Sequence, residues 1–145
     1  MDFYFLVATS SLVLQLIVLG LLLLGYNFKR QKKYRQHGFS MFAAVLIHLI
    51  TILAVMVPSF GAIVFFETGV PSYIVALSVV HGLLGLLAFI FGLWLVASWR
   101  FRVSPQSCFP KKKLMRVTII LWITAIILGA AMYFILYMPI TPVAG

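Results

Sequence analysis

Two histidines lie in the middle of long apolar segments, and they are the residues of this chain best suited to do chemistry. His48 lies in FSMFAAVLIHLITILAVMVP, and His81 lies in YIVALSVVHGLLGLLAFIFGLWLVASW. Imidazole nitrogens bind transition metals and accept protons near neutral pH. Ionisable groups within membrane-length apolar segments are costly and tend to mark functional sites. The pair is therefore the first candidate for a cofactor site.

Four apolar stretches must position these histidines, and each is long enough to cross a membrane. Of the 145 residues, 64% are hydrophobic and 9% are charged, whereas soluble domains are about 25% charged. This composition excludes a soluble globular enzyme, a disordered chain and a nucleic-acid binder with a basic soluble surface. A membrane helix needs about 20 apolar residues, and the strands of an outer-membrane barrel would alternate over about 10. We predict one all-α domain over residues 1–145, an integral membrane four-helix bundle with spans at about 3–26, 39–58, 73–97 and 117–137.

The charged residues predict which side of the membrane each loop faces. All 11 Lys and Arg residues fall in two connectors, one between the first two spans and one between the last two. The two acids, Asp2 and Glu67, fall on the opposite side. Because short loops rich in Lys and Arg stay in the cytoplasm, we expect both basic loops inside and both termini outside. We expect a multi-pass protein of the plasma membrane that retains its first span, since no basic region precedes that span.

His48 and His81 are predicted to lie at similar depths. His48 is nine residues after Phe39, about 13 Å from the inner edge, and His81 is eight residues after Tyr73, about 12 Å from the outer edge. In a core about 30 Å thick, the two depths differ by roughly 5 Å. Two imidazoles on opposite faces of an iron suit haem b, and quinone or copper is a weaker alternative. Histidines that only hydrogen-bond to neighbouring helices need no cofactor, and the spacing leaves all these alternatives open.

Small residues follow His81 along one face of its span. Gly85, Ala88 and Gly92 lie at helical spacing from this histidine, so a second helix or a flat cofactor could approach closely. The last span carries a similar stripe, which is typical of helix packing and consists of Trp122, Ala125, Gly129 and Tyr133.

Two further polar residues lie in or beside the predicted spans. His37 is eleven residues before His48, on the same helix face and about 16 Å away. It is a candidate second-site metal ligand or a point where protons enter from the inner surface, unless it only contacts lipid headgroups. Gln15 is the strongly polar residue of the first span, and we expect it to make an interhelical hydrogen bond.

Three segments of the chain carry a family resemblance, namely KKYRQHGFSMFAAVLIHLITILAVMVPSF, VHGLLGLLAFIFGLWLVASW and KKKLMRVTIILWITAIILGAAMYFILY. Together they resemble a family of small four-helix membrane proteins catalogued as a domain of unknown function. That family pairs a histidine that opens one helix with a methionine, here His37 and Met41, and it ends with a helix containing tryptophan and tyrosine. Some bacterial members are linked to the assembly of haem-copper terminal oxidases, so the resemblance implies a respiratory membrane. The family pattern has a histidine before the last helix where this chain has Lys111, Lys112 and Lys113, which puts a metal site needing that ligand in doubt.

These observations predict a haem-b-associated accessory protein of a respiratory membrane, acting in terminal oxidase assembly or electron transfer. His48 and His81 would be the metal ligands, and Gly85, Ala88 and Gly92 would leave room for the cofactor. The alternative is a cofactor-free scaffold subunit with structural histidines. Enzymatic activity is not favoured. A small transporter is not favoured either, because no Asp, Glu, Lys or Arg falls within a span. The expected partners are the lipid bilayer, a terminal oxidase or another membrane complex, and a second copy of the chain, but not nucleic acid.

Overall fold

The structure is a computed structural model that describes residues 3–66, 69, 71–99 and 111–138. These residues form helices and their connecting turns, with no strand among them. The helices are α1 (Phe3–Arg30), α2 (Tyr34–Thr51), α3 (Val57–Gly61), α4 (Ser72–Trp99) and α5 (Lys112–Tyr137), with π-helical turns at Ile52–Met56 and Ala62–Phe66. Four helical segments are long and apolar enough to cross a membrane, so the predicted four-helix architecture is confirmed.

The four long helices pack as two antiparallel hairpins, α1 with α2 and α4 with α5. Contacts of α2 with α4 and of α1 with α5 close the bundle. The basic residues at the predicted span ends are helical rather than part of loops, which extends α1 to Arg30 and begins α5 at Lys112. Hydropathy falls at these charges, but Lys and Arg are good helix formers, so the backbone continues beyond the apolar stretch.

The helical path continues through Pro58. The sequence left two alternatives after this proline, an extension of the second span by a few turns or a segment along the membrane surface, and the structure has the extension. The chain stays helical to Phe66, with a π-helical turn on each side of α3. Proline has no N–H, and its ring clashes with the carbonyl four residues earlier. The wider π turn over Ile52–Met56 contains that residue, Ala54, and it accommodates the proline without ending the helix.

The interior of the bundle is narrow, and the outer surface is apolar. A buried cluster joins residues from α1, α2, α4 and α5, namely Val18, Leu22, Ala44, Val45, Ala88, Trp122 and Ile126. Large apolar side chains face outward, such as Leu53 at 62% exposure and Ile120 at 64%. Small buried residues let the backbones approach, which is how helices pack in a lipid environment.

Candidate functional site

His48 lies at the centre of the bundle, on the last turns of α2. Its side chain is 2% exposed. Nδ1 is 3.2 Å from the amide nitrogen of Gln15 on α1, so the interhelical hydrogen bond expected of Gln15 is confirmed. The imidazole centroid is 4.8 Å from the ring of Trp122 on α5 and 6.2 Å from the ring of Phe89 on α4. All four long helices therefore contribute to the environment of this histidine.

His81 is anchored to α5 by its ring nitrogen. Nδ1 lies 2.9 Å from the carbonyl oxygen of Ala125. A carbonyl can only accept, so Nδ1 carries the proton, and Nε2 of the neutral ring keeps its lone pair. On the same helix, a Cβ at Gly129 would be 2.9 Å from Cε1 of His81, so this glycine gives the ring room against the backbone. The hydrogen bond to α5 leaves Nε2 as the nitrogen available to a ligand.

His48 on α2 and His81 on α4 lie beside neighbouring turns of a third helix, α5. His48 contacts Trp122, and His81 contacts Ala125, three residues further along α5, a rise of about 4.5 Å. The Gly85 carbonyl, one turn after His81, lies near the imidazole of His48. We call Gln15, His48, His81 and Trp122 the histidine layer.

Two buried polar atoms of the histidine layer have no hydrogen-bond partner. They are Nε2 of His48 and Nε1 of Trp122. As placed, the Gln15 amide donates to Nδ1 of His48, which puts the imidazole proton on Nε2. A half-turn of that amide would present its oxygen instead and leave Nε2 unprotonated. A buried polar atom left without a partner costs about 1–3 kcal/mol, so a water or a ligand atom at Nε2 would be stabilising.

The two imidazoles of the layer are suitable haem ligands, but the space around them is too small for a porphyrin as the side chains are placed. A metal-bound histidine donates its other ring N–H to an acceptor, as Nδ1 of His81 does to the Ala125 carbonyl. His48 would reach the same state only with the Gln15 amide turned so that its oxygen accepts from Nδ1. Beside them, Gly85 is buried, and a Cβ there would meet no atom within 4 Å. At Gly92, by contrast, a Cβ would be 3.0 Å from the Trp122 ring. A porphyrin against His48 therefore requires the Trp122 indole to move.

The predicted stripe of small residues is buried along α4, with Gly85, Ala88 and Gly92 all facing inward. Ala88 belongs to the buried cluster, and Trp122 fills the space in front of Gly92. The contact between Trp122 and His48 was not predicted. One sequence signal could have indicated that Trp122 points into the bundle. A large ring on α5 complements the small residues on α4.

His37 lies apart from the histidine layer, on the first turns of α2. Its Nδ1 lies 2.7 Å from the carbonyl oxygen of Gly25, and its side chain is 7% exposed. The carbonyl accepts from Nδ1, so Nε2 again keeps the lone pair. The next residue, Gly38, is covered by the indole of Trp99, which overlaps the position that a Cβ would take.

A cavity of about 420 Å³ lies between the four helices at the end where α1 and α4 finish and α2 and α5 begin. We call it the basic-end cavity. Its interior is mostly apolar, and its lining includes Trp122 of the histidine layer. His37 also lines it. Five cations border it, namely Lys29, Arg30, Lys111, Lys112 and Arg116.

Within the described ranges, no three His, Cys, Asp or Glu side chains group as a metal site. Cys108, Asp2 and Glu67 lie outside those ranges. Comparison with family models, with curated proteins and with solved structures gives no match. The likeness to the four-helix family of unknown function thus depends on the motifs alone.

Proposed function

We propose that this multi-pass membrane protein binds haem b between His48 and His81 and serves a respiratory membrane as an accessory factor in terminal oxidase assembly or electron transfer. The observation that carries the proposal is the pair of imidazoles held beside adjacent turns of α5. Nε2 of His81 keeps its lone pair, and Nε2 of His48, buried without a partner, would lose its proton if the Gln15 amide turned its oxygen toward Nδ1. Bound haem would supply a one-electron redox centre.

The protein's own part in such a site is to hold the two rings. The Ala125 carbonyl fixes the proton of His81 on Nδ1. The Gln15 amide positions the imidazole of His48, and its orientation selects which nitrogen of that ring is protonated.

A cofactor-free scaffold subunit is the second candidate, and the packing of Trp122 favours it. The indole is 2% exposed and lies directly against His48. A bundle that is complete without a cofactor would be packed in this way. Its two unpartnered atoms would then be satisfied by a buried water, which bridges such groups in many proteins.

A reduced-minus-oxidised spectrum of protein purified from haem-supplemented cells separates the two candidates. Ligation by the pair predicts a sharp α band that disappears in His48→Ala and in His81→Ala. His37→Ala is the matched control, because His37 is also buried and anchored through Nδ1, but lies outside the layer. A preparation with no band contradicts haem binding. A band lost in His37→Ala but kept in His81→Ala contradicts the assigned ligands.

The role in a respiratory membrane has its own test. Cells that lack the protein should assemble less haem-copper oxidase, and the wild-type protein should restore it where His48→Ala does not. Unchanged oxidase content in cells that lack the protein would count against this role while leaving haem binding open.

The proposed orientation places the basic loops in the cytoplasm of a plasma membrane. Cysteine labelling in a Cys108→Ser background tests it. Ser72→Cys, at the opposite end of the bundle from Lys112, should react with an impermeant reagent in sealed cells, and Lys112→Cys should react only after lysis. The reverse pattern would invert the topology.

A further inference from the structure

The five cations bordering the basic-end cavity have no acidic partner among the described residues. Those residues contain no Asp or Glu at all, and the whole chain has 2 acids against 11 Lys and Arg. Lys29 donates to the thioether sulfur of Met115 at 3.6 Å, a weak acceptor for an ammonium group. The cluster is therefore free to pair with an anion that the described residues do not supply.

The length of the cavity matches one leaflet of a bilayer. Its lining on α5 runs from the charged Lys112 to Trp122, ten residues and about 15 Å. The apolar core of a bilayer is about 30 Å thick, so this distance is about half of it. Between those limits the lining is mostly apolar, with Leu22, Val45, Val96 and Ile119 among its side chains.

Few polar groups line the cavity beyond its cationic end. Thr118 and Ser98 donate within their own helices, to Leu114 and Leu95, and so present little polarity to an occupant. Nε1 of Trp122 is buried and has no partner. The wall is thus cationic at one end and apolar along its length, the pattern that suits a molecule with an anionic head and a hydrocarbon body.

We propose that the basic-end cavity binds an anionic phospholipid from the adjoining leaflet, with the phosphate at Lys112 and Arg116 and an acyl chain extending toward Trp122. The binding of a lipid here does not depend on haem at the histidine layer. It adds a specific site to the general attraction of basic loops for anionic lipid surfaces.

Quenching of Trp122 by brominated lipid tests the proposal. The probe is vesicles of phosphatidylglycerol brominated near the ends of its chains, compared with phosphatidylcholine carrying the same chains. The protein carries Trp94→Phe and Trp99→Phe, so that Trp122 is the one remaining tryptophan and is excited selectively. Trp99 lines the cavity, and phenylalanine keeps an aromatic ring at that position. Because Trp122 is 2% exposed, bulk lipid reaches it poorly, and quenching reports a chain inside the bundle. We expect stronger quenching by phosphatidylglycerol.

Two pairs of variants in that background make the test specific. Ile119→Phe fills the cavity and should abolish the lipid preference, whereas Ile120→Phe, on the outward face at 64% exposure, should leave it intact. Lys112→Gln with Arg116→Gln should lower phosphatidylglycerol affinity about tenfold or more, since each basic residue near an anionic headgroup contributes several-fold. Lys33→Gln with Lys113→Gln removes the same charge away from the cavity lining and should have a smaller effect.

Equal quenching by the two lipids, or a preference that survives Ile119→Phe, overturns the proposal. So does bound haem that is lost in Lys112→Gln with Arg116→Gln but kept in His48→Ala, because the cavity would then hold the porphyrin. The quenching readout contains no haem, so absence of an α band leaves the lipid proposal standing. Loss of lipid preference likewise leaves haem ligation by the histidine layer untouched.

Discussion

The histidine layer and the basic-end cavity are adjacent regions of one bundle, and they differ in how their space is filled. In the layer, aromatic rings surround His48 and leave its Nε2 without a partner. At the basic end, the helices leave a cavity of about 420 Å³ bordered by cations. Trp122 belongs to both regions, since it packs against His48 and lines the cavity.

This difference shows which property each region controls. In the layer the rings of Trp122 and Phe89 pack against His48, so substitution of these side chains should act mainly on the stability of the bundle. A cavity is open space between side chains, so substitutions that fill the basic-end cavity should act mainly on the binding of a ligand there. Trp122, as the residue shared by both, should affect stability most.

Trp122→Ala is expected to have the largest effect. Removing a buried tryptophan leaves a cavity and costs about 3–5 kcal/mol of unfolding free energy. Unfolding in mixed micelles, followed by circular dichroism, measures the loss. Trp94→Ala is the matched control, because Trp94 is 64% exposed and faces outward. Equal losses for the two variants would mean that Trp122 does not hold the layer together.

Insertion of an aromatic ring should also distinguish the two regions, with a smaller change in unfolding free energy than Trp122→Ala causes. Ile126→Phe places extra atoms in the buried cluster beside Trp122, and overpacking of this kind costs about 1–3 kcal/mol. Ile119→Phe adds the same atoms at the wall of the basic-end cavity and should change stability little. The same unfolding measurement compares them. If Ile119→Phe is the more destabilising variant, the cavity is not open space.

The sequence was sufficient for the helices but not for the relation between these regions. Apolar stretches of membrane length predict the four helices directly, and the strongly polar Gln15 predicted an interhelical hydrogen bond that is present. The extent of the second span was harder to predict, because proline chemistry alone does not show that π turns accommodate Pro58.

Side-chain neighbours across the bundle could not be predicted for a physical reason. The helices are apolar on nearly every face, so hydropathy does not reveal which face of each helix points inward. Because the rotation of each helix about its own axis is not known from the sequence, Trp122 could be assigned to a stripe on its helix but not placed against His48. The cavity depends on how four helix ends splay, which composition does not report. The charge of the basic loops was visible, but its association with an apolar cavity was not.

The smallest expected effect is the coupling free energy between Gln15 and His48. Its size shows how much their hydrogen bond contributes to stability. A double-mutant cycle with Gln15→Leu and His48→Phe isolates it, because each single variant removes the hydrogen bond and keeps much of the volume. Interhelical hydrogen bonds in membranes average about 0.6 kcal/mol, since the separated helices also find partners. The bond between Thr9 and Tyr133, at 2.9 Å between hydroxyl oxygens, is the comparison pair, measured with Thr9→Val and Tyr133→Phe. If coupling at Gln15 and His48 is as small as at that pair, packing rather than polarity holds the imidazole in place. A coupling several times larger would show that the amide itself fixes the ring, and the histidine layer would then owe its geometry to α1 as much as to Trp122.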